Sequence, residues 1–307
     1  MARGIEKYVG ARAYTDYEKM LDKEELDFLV VATPSMLHCR VARLAVEHDV
    51  HVFVEKPFSL DIEEGRSLAG ALEGRNLVNQ VGYVNRFNAV FVETKRILDA
   101  GIIGPVVHFH SRMYGRTVLS DSHGSWRATT KTGGGCLYEF ASHAIDLANY
   151  FVGVPDRVTG SLLEKIYSAD VEDMVSSTFL YDGGLTGNIF VNWSDVTYRK
   201  AANQVEFLGT EGKITADQHA LRLYLKEAVP GSGFSQGWNM LYITDLARPV
   251  RFYVRGNEFT AQLDAFIDAI KGGKEKNLCT FSDALATDIT IARIKEDADK
   301  QHQCQQK

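Results

Sequence analysis

The chain has 307 residues, of which 45% are hydrophobic and 24% are charged, and its formal net charge is −6. These values are typical of a globular protein and exclude collagen-like and wholly disordered chains. The acidic balance argues against a protein that binds the phosphate backbone of nucleic acids.

Nothing in the sequence predicts a membrane protein or a secreted one. No apolar stretch approaches the roughly 20 residues of a membrane-spanning helix, and the first residues lack the apolar core of a secretory signal. The cysteines are scattered without a Cys-x-x-Cys spacing, at Cys39, Cys136, Cys279 and Cys304. This pattern indicates neither a disulfide framework nor a zinc site. We therefore expect a cytoplasmic protein with no metal and with neither nucleic acid nor membrane as partner.

The first hundred residues alternate short apolar runs with helical patterns. Continuous apolar runs at 28–32, 50–54 and 77–81 predict strands that are buried on both faces, as in a parallel sheet. A helix capped by Ser35 is expected between the first two runs, and a helix with acidic residues in its first turn between the second and third. Strands and helices at this spacing predict right-handed crossovers and an α/β unit.

After about residue 104 the pattern of apolar residues changes from helical spacing to strand-like alternation. Before this change a helix is expected at 88–100, ended by Gly101, and its sequence is compatible with membership of either unit. Alternating apolar and polar residues with short glycine turns then predict a mostly antiparallel sheet, and two helices are expected at 257–271 and 281–298. The expected strands are 107–112, 157–167, 173–182, 185–193, 203–208, 213–217, 220–227 and 250–254. The sequence thus predicts an α/β domain at 1–102 and an α+β domain with a large open sheet at 103–307.

Two segments carry residues suited to chemistry. Glu55, Lys56 and Pro57 follow the second predicted strand, and ligand sites of open α/β sheets lie beyond the carboxyl ends of strands. A salt bridge at the start of a loop explains the same residues without a site.

The second segment is a run of three glycines followed by an apolar helical pattern. The helix places Glu139, His143 and Asp146 on one stripe, which is costly in a buried helix unless the groups are paired or used. The glycines permit close approach of a ligand or another chain. A polar stripe that meets solvent is the simpler alternative, and a metal site is disfavoured because nothing nearby completes a ligand shell.

Five motifs in order resemble the glucose–fructose oxidoreductase/inositol dehydrogenase (Gfo/Idh/MocA) family. They are Ala32-Thr33-Pro34-x3-His38, Val54-Glu55-Lys56-Pro57, Val81-Gly82-Tyr83-x2-Arg86-Phe87, the glycine run with His143 and Asp146, and Phe207-Leu208-Gly209-Thr210-Glu211-Gly212. The resemblance implies a dinucleotide-binding Rossmann domain and a second domain whose open sheet forms a homodimer or homotetramer. It also implies a site between the domains for NAD or NADP and for a sugar, polyol or nucleotide-sugar.

The resemblance also implies roles for individual residues. The implied catalytic residues are Lys56, His143 and Glu139. The implied cofactor-binding residues are Ala32, Thr33, Pro34, His38, Glu55, Lys56, Pro57 and Arg86. The implied substrate-binding residues are Lys56, Tyr83, Arg86, Trp126, Arg127, Glu139 and Asp146. Glu139 stands where the family usually has Asp, and Ala141 where it usually has Gly. The Lys56–Pro57 bond is often cis in relatives.

The sequence departs from the family at its beginning. Members open with strand, Gly-x-Gly-x-x-Gly and helix, whose backbone N–H groups bind the pyrophosphate. Residues 11–14 correspond to the third strand of such a domain and residues 28–32 to the fourth, which would leave the fourth as an exposed apolar edge. We expect either a fragment or a variant that no longer binds a dinucleotide.

These observations favour an NAD(P)-dependent oxidoreductase that acts on a secondary hydroxyl of a sugar-like substrate. His143 has an unperturbed pKa near neutrality and suits removal of the hydroxyl proton, while Lys56 suits stabilisation of negative charge on the oxygen. Two alternatives stay open: a non-catalytic, oligomerising relative, and an NAD-dependent glycosidase on the same scaffold.

Overall fold

The computed structural model describes residues 10–117, 129, 133–250, 252–253, 256–272 and 277–305. Its first unit is a three-stranded parallel sheet in the order β1-β2-β3. The strands are β1 (Phe28–Val31), β2 (His51–Val54) and β3 (Asn79–Val81). The helices of this part are α1 (Tyr17–Lys23), α2 (His38–Glu47), α3 (Ile62–Gly70) and α4 (Ala89–Asp99), with 3₁₀ turns at Ser35–Leu37 and Val84–Phe87. The three apolar runs therefore form the predicted parallel sheet.

Both faces of the central strand β2 are covered, which explains its continuous apolarity, whereas β1 is the apolar edge that the sequence predicts, with Phe28 39% and Val30 45% exposed. On one face, Val52 and Val54 share a buried core with Val41 and Ala45 of α2. On the other face, the ring of Phe53 lies 5.8 Å from the ring of Phe266, which belongs to a helix near the end of the chain. Burial on both sides removes the need for polar alternation.

Two local predictions for this unit are wrong. Residues 11–14 do not form a strand, because a strand needs a neighbour for its backbone hydrogen bonds and the described residues place none beside it. Ser35 does not cap α2, because a 3₁₀ turn precedes the helix and no side-chain cap is made at either start.

The second unit is an eight-stranded sheet in the order β11-β10-β9-β8-β4-β7-β6-β5. Only the β4–β7 pair is parallel, so the predicted mostly antiparallel sheet is confirmed. The strands are β4 (Val106–Tyr114), β5 (Arg157–Glu164), β6 (Met174–Leu180), β7 (Thr186–Asn192), β8 (Ala202–Gly209), β9 (Gly212–Asp217), β10 (Ala220–Leu225) and β11 (Gly237–Tyr242). The helices of this part are a π-helical turn (Leu137–Ala141), α5 (Ser142–Val152), α6 (Ile243–Leu246), α7 (Asn257–Ile270) and α8 (Phe281–Gln305).

One face of the large sheet packs against α4, α5 and α8, and the other, called the open face below, carries no helix among the described residues. Strand β11 was not predicted, because its apolar residues Trp238, Met240 and Tyr242 are the exposed ones, the reverse of the usual alternation. The strand expected at 250–254 is not observed in its described residues 250, 252 and 253. In the parts of the chain that the structure describes, no helix has the length and apolarity to cross a membrane.

The last two helices belong by sequence to the second predicted domain, 103–307, but they also pack against the first unit. Helix α7 covers the first sheet through Phe266, whose ring contacts Phe28 and Phe53. The start of α8 adds Phe281 to the first core, whereas Ile291, further along the same helix, belongs to the second core. The two units are thus joined by shared packing as well as by the chain.

Replacement of Phe266 by Ala tests this joint. Phe266 is fully buried between α7 and the first sheet, so Phe266→Ala should lower the free energy of unfolding by about 3 to 5 kcal/mol in urea titrations. Phe252 is 51% exposed and serves as the matched control, because its truncation removes little buried surface. Equal losses from the two variants would contradict this assignment of the joint.

Candidate active site

The site lies where the strands of the first sheet end. Residues 32–34 follow β1, Glu55 follows β2, and residues 82–86 follow β3. The ladder continues past the strands, since Glu55 N–H donates to Val31 O at 2.9 Å and Gly82 N–H donates to Val54 O at 2.8 Å. The parallel sheet therefore brings three of the sequence motifs to a single edge, as expected for ligand sites in this architecture.

Lys56 and Glu139 meet at this edge from the two units. Lys56 Nζ donates to Glu139 Oε1 at 3.1 Å and to the backbone carbonyl of Glu139 at 3.1 Å. Both side chains are largely buried, with 14% and 10% of their surface exposed. Glu139 lies in the π-helical turn that precedes α5, and such turns are frequent at functional sites. The extra methylene of Glu, relative to the Asp usual in the family, does not prevent contact with Lys56.

His143 follows in the first turn of α5, beside Tyr83. Its Nδ1 atom is buried and has no hydrogen-bond partner among the described residues. The Tyr83 ring stands perpendicular to the imidazole at a centroid distance of 6.0 Å. Burial, and then the positive charge of Lys56, lower the pKa of His143 to about 3. The imidazole is therefore neutral at physiological pH and keeps a lone pair for a proton.

His38 links the loops after β1 and β2. Its Nδ1 atom lies 2.7 Å from Pro57 O and its Nε2 atom 2.9 Å from Thr33 O. Burial lowers the pKa of His38, and the ring is almost fully enclosed. The Lys56–Pro57 peptide bond is cis, as the resemblance implied. His38 thus contacts the backbone of two motif segments, and its ring nitrogens face protein carbonyls rather than a ligand.

Glu55 packs directly against the loop after β3. It accepts a hydrogen bond from the backbone N–H of Lys56 at 3.3 Å, and a Cβ atom at Gly82 would lie 2.9 Å from its Oε2 atom. Burial raises the pKa of Glu55. Nearby, Thr33 Oγ1 is buried without a hydrogen-bond partner among the described residues. Thr33 and Glu55 thus place two buried polar groups at the ends of neighbouring strands.

Arg86 and Asp146 form a buried ion pair instead of reaching a ligand surface. Arg86 Nη2 and Nε donate to Asp146 Oδ1 and Oδ2 at 2.7 and 2.9 Å, and Arg86 Nη1 donates to Leu278 O at 2.7 Å. The side chains are only 4% and 1% exposed. Burial by itself would lower the pKa of Arg86, but attraction to the Asp146 carboxylate raises it above the ordinary value. The structure therefore places both groups in a joint between the units.

One further expected ligand contact, Tyr83, lies in the interior. Tyr83 is fully buried behind His143, and Trp126 and Arg127 lie outside the described residues. Two of the three consecutive glycines approach the chain's own side chains rather than a ligand or another chain. A Cβ atom at Gly133 would lie 2.7 Å from Leu60, and one at Gly135 would lie 2.4 Å from Glu172. Within the described parts, no group of three or more His, Cys, Asp or Glu side chains could hold a metal ion.

Sequence analysis missed Glu172, which contacts the start of the turn that carries Glu139. Glu172 lies 33 positions further along the chain than Glu139, in the connection between β5 and β6, so no local pattern links the two. The one available signal was Gly135, since a glycine at a helix start indicates that something approaches closely.

Comparison with known proteins agrees with this geometry. Residues 2–83 match the family model of the oxidoreductases with an NAD-binding Rossmann fold, and residues 91–215 match the model of the GFO/IDH/MocA C-terminal domain. Together these matches cover more than half of the chain. The chain belongs to the Gfo/Idh/MocA oxidoreductase family. The two matched models correspond to the parallel sheet and to the larger sheet.

Several members of the family resemble this chain along most of its length. A scyllo-inositol 2-dehydrogenase (NAD(+)) of Bacillus subtilis is 24% identical over 94% of this chain and 79% of its own length. An uncharacterised oxidoreductase of Schizosaccharomyces pombe is 28% identical over 86% of this chain and 70% of its own. A levoglucosan dehydrogenase solved with NADH and levoglucosan has a TM-score of 0.83 at 23% identity, over 97% of this chain and 85% of its own. The last comparison supports the fold alone.

The buried ion pair predicts a large loss of stability when one partner is removed. Arg86→Met leaves the Asp146 carboxylate buried and unpaired, so we expect a loss of about 3 to 5 kcal/mol in the free energy of unfolding in urea. Arg96 pairs with Glu93 on the surface, and Arg96→Met should cost less than about 1 kcal/mol. Similar costs for both variants would show that Arg86 does not join the units.

The lowered pKa of His143 predicts a pH dependence of stability. Between its unfolded value of 6.5 and its folded value of about 3, the unfolded chain binds a proton at this site that the folded chain does not. Stability should therefore fall as pH decreases below 6.5, with this one group contributing up to about 1.4 kcal/mol per pH unit. His143→Gln should make the slope between about pH 7 and pH 4.5 shallower in urea titrations.

His48 provides a control of opposite sign. Hydrogen bonds to Leu44 O and Asp22 raise the pKa of this exposed histidine, so its protonation favours the folded chain. His48→Gln should therefore steepen the loss of stability slightly. A shallower slope in both variants would mean that His143 is not the group responsible.

Proposed function

We propose that this chain is an NAD(P)-dependent oxidoreductase that transfers a hydride between nicotinamide and a secondary hydroxyl or keto carbon of a sugar, polyol or nucleotide-sugar. The observation that carries the proposal is the convergence of Lys56, Glu139 and His143 at the carboxyl edge of the parallel sheet. The group combines a largely buried ion pair with an unprotonated imidazole; the lowered pKa makes this ring a weak base, so the proposal depends on Lys56 stabilising the substrate oxygen as its proton leaves.

The residues at the strand ends fit the nicotinamide end of a dinucleotide. Thr33 Oγ1 is buried without a hydrogen-bond partner in the described part of the chain, and Glu55 is buried beside the backbone of Gly82. We assign contact with the cofactor to Ala32, Thr33, Pro34, Glu55, Lys56 and Pro57. When bound, nicotinamide accepts or returns the hydride. The sequence contains no Gly-x-Gly-x-x-Gly, so these residues account for the nicotinamide end alone.

We assign a separate role in the reaction to each of the three side chains at the site. His143 accepts the hydroxyl proton of the substrate on Nε2, because its Nδ1 atom is buried. Lys56 donates a hydrogen bond to the same substrate oxygen and stabilises the negative charge that develops there. Glu139 holds the Lys56 ammonium through its carboxylate and its backbone carbonyl, which fixes the direction of that donor.

The named relatives support the substrate class. A scyllo-inositol dehydrogenase and a levoglucosan dehydrogenase act on a polyol and on an anhydrosugar, as their names state. The levoglucosan dehydrogenase of Pseudarthrobacter phenanthrenivorans is 30% identical over 45% of this chain and 36% of its own length. Both substrates carry secondary hydroxyls on a ring, which is the group that Lys56 and His143 suit.

The open face of the large sheet supports a homodimer or homotetramer. Strand β11, at the edge, and its neighbour β10 expose Tyr224, Trp238, Met240 and Tyr242, and apolar clusters of this kind mark contact surfaces. The cysteines Cys39, Cys136 and Cys279 are buried and free, which fits the reducing cytoplasm. Sedimentation of the wild type against a Trp238→Ser variant tests the assembly.

Reduction of NAD⁺ or NADP⁺ in the presence of inositols and anhydrosugars tests the activity. We expect kcat to fall by about 10²-fold to 10⁴-fold in Lys56→Ala and in His143→Ala, because proton transfer and charge stabilisation are lost. Lys95→Ala on the exposed face of α4 and His48→Ala on the surface are the matched controls.

Two results would contradict the proposal. Equal activity in the site variants and their controls would remove Lys56 and His143 from the chemistry. Cleavage of a glycoside without net nicotinamide reduction would favour the glycosidase alternative on the same residues.

A further inference from the structure

The start of the helix that carries His143 is bound by a residue from a distant loop. Glu172 Oε1 accepts a hydrogen bond from Leu137 N–H at 2.7 Å. The backbone carbonyl of Glu172 accepts one from Cys136 N–H at 3.0 Å. One residue thus binds two consecutive N–H groups at the N-terminal end of the π-helical turn, where helices leave such groups unpaired.

The carboxylate is suited to this position by charge as well as by geometry. A negative group at a helix start interacts favourably with the unpaired N–H groups and the helix dipole. Burial raises the pKa of Glu172, whereas the bond from Leu137 N–H and the positive charge of Lys295 oppose that rise. Hydrogen bonds from N–H groups to an ionised carboxylate are stronger than neutral ones.

Gly135, which has no side chain, leaves room for the Glu172 carboxylate beside the start of the turn. A Cβ atom at Gly135 would lie 2.4 Å from Glu172 Oε1, and Gly135 has a φ of +106°, which side-chain-bearing residues rarely adopt. Gly135 is therefore required both by its own backbone conformation and by the approach of the Glu172 carboxylate. The next link is a backbone hydrogen bond from Glu139 N–H to Gly135 O at 3.0 Å.

The turn bound by Glu172 supplies both acceptors of the Lys56 ammonium. These are the carboxylate and the backbone carbonyl of Glu139, each at 3.1 Å from Nζ. A shift of the turn moves the two acceptors together, so the position of Lys56 depends on what binds the start of the turn. Displacements of about 1 Å at a catalytic group can cost on the order of 10²-fold in rate.

We propose that Glu172 is a positioning residue: by binding the N–H groups of Cys136 and Leu137, it fixes the π-helical turn so that Glu139 holds Lys56. Its importance for catalysis rests on the function proposed above, but the positioning itself does not. Glu172 touches neither the substrate side of Lys56 nor His143 in the described contacts, and it acts through Glu139.

Acetylation of Lys56 by acetic anhydride, followed by mass spectrometry, tests the positioning without an activity assay. In Glu139→Ala, Lys56 loses a partner and its labelling rate should rise severalfold. Glu172→Ala should raise it in the same direction, whereas Glu172→Gln keeps an oxygen that accepts from Leu137 N–H and should restore most of the protection. Asp16→Ala removes a cap of comparable kind from α1, far from Lys56, and should leave the labelling rate unchanged.

Two outcomes would overturn the proposal. Labelling of Lys56 in Glu172→Ala at the wild-type rate would show that the turn holds without Glu172. Equal increases in Glu172→Ala and Asp16→Ala would show a general loss of stability. If Glu172→Ala does not fold, Glu172→Asp shortens the side chain by one methylene and should raise labelling in a folded protein. Circular dichroism establishes folding for each variant.

Kinetics then separate positioning from the proposed activity. In an active protein, Glu172→Ala should lower kcat with little change in KM, and its effect should be smaller in a Glu139→Ala background, where only the backbone carbonyl of residue 139 is left to hold Lys56. Multiplicative losses in the double variant would contradict action through Glu139. An inactive wild-type chain in which Glu172→Ala still raises Lys56 labelling would count against the proposed function and support the positioning role.

Discussion

The buried ion pair between Arg86 and Asp146 is the interaction on which the rest of the site depends. Arg86 follows the last strand of the parallel sheet, and Asp146 lies on α5, one turn after His143. The pair therefore fixes the helix that carries His143 relative to the strand ends that carry Lys56. Because both groups are buried, either charge alone would be unfavourable, and the two units are held in one arrangement.

Burial also sets the chemistry of the site. The enclosure that makes the Arg86–Asp146 pair necessary also lowers the pKa of His143 and keeps its imidazole neutral. Lys56 is enclosed as well, and Glu139 supplies the opposite charge. A cation held by a carboxylate and a neutral base thus lie side by side, an arrangement that water would weaken by screening.

The two sheets contribute different parts of the candidate site. The parallel sheet presents Thr33, Glu55 and Lys56 on loops at its carboxyl edge, and the large sheet carries α5 on its covered face. Ser111 of β4 donates to the carbonyl of Ala144, so the sheet holds the helix directly beside His143.

The sequence by itself predicted the parallel sheet, most of the second sheet and the motifs that supply the candidate site. Continuous apolar runs identified the parallel strands, of which the central β2 is buried on both faces, and alternation identified most of the second sheet. Strand β11 was not predicted, because its exposed positions are apolar. Lys56, Glu139 and His143 were found from their motifs, since each motif is local in the chain.

Only the tertiary structure decided which of these residues pair with each other in the interior. From the sequence, Arg86 and Asp146 were predicted to bind a ligand. In the structure they form an ion pair with each other in the interior. Glu172 had no signal in the sequence beyond Gly135, and its contact with the helix start arises because a distant loop returns there. The physical reason is that burial and charge pairing arise from contacts between distant segments, which local sequence patterns do not specify.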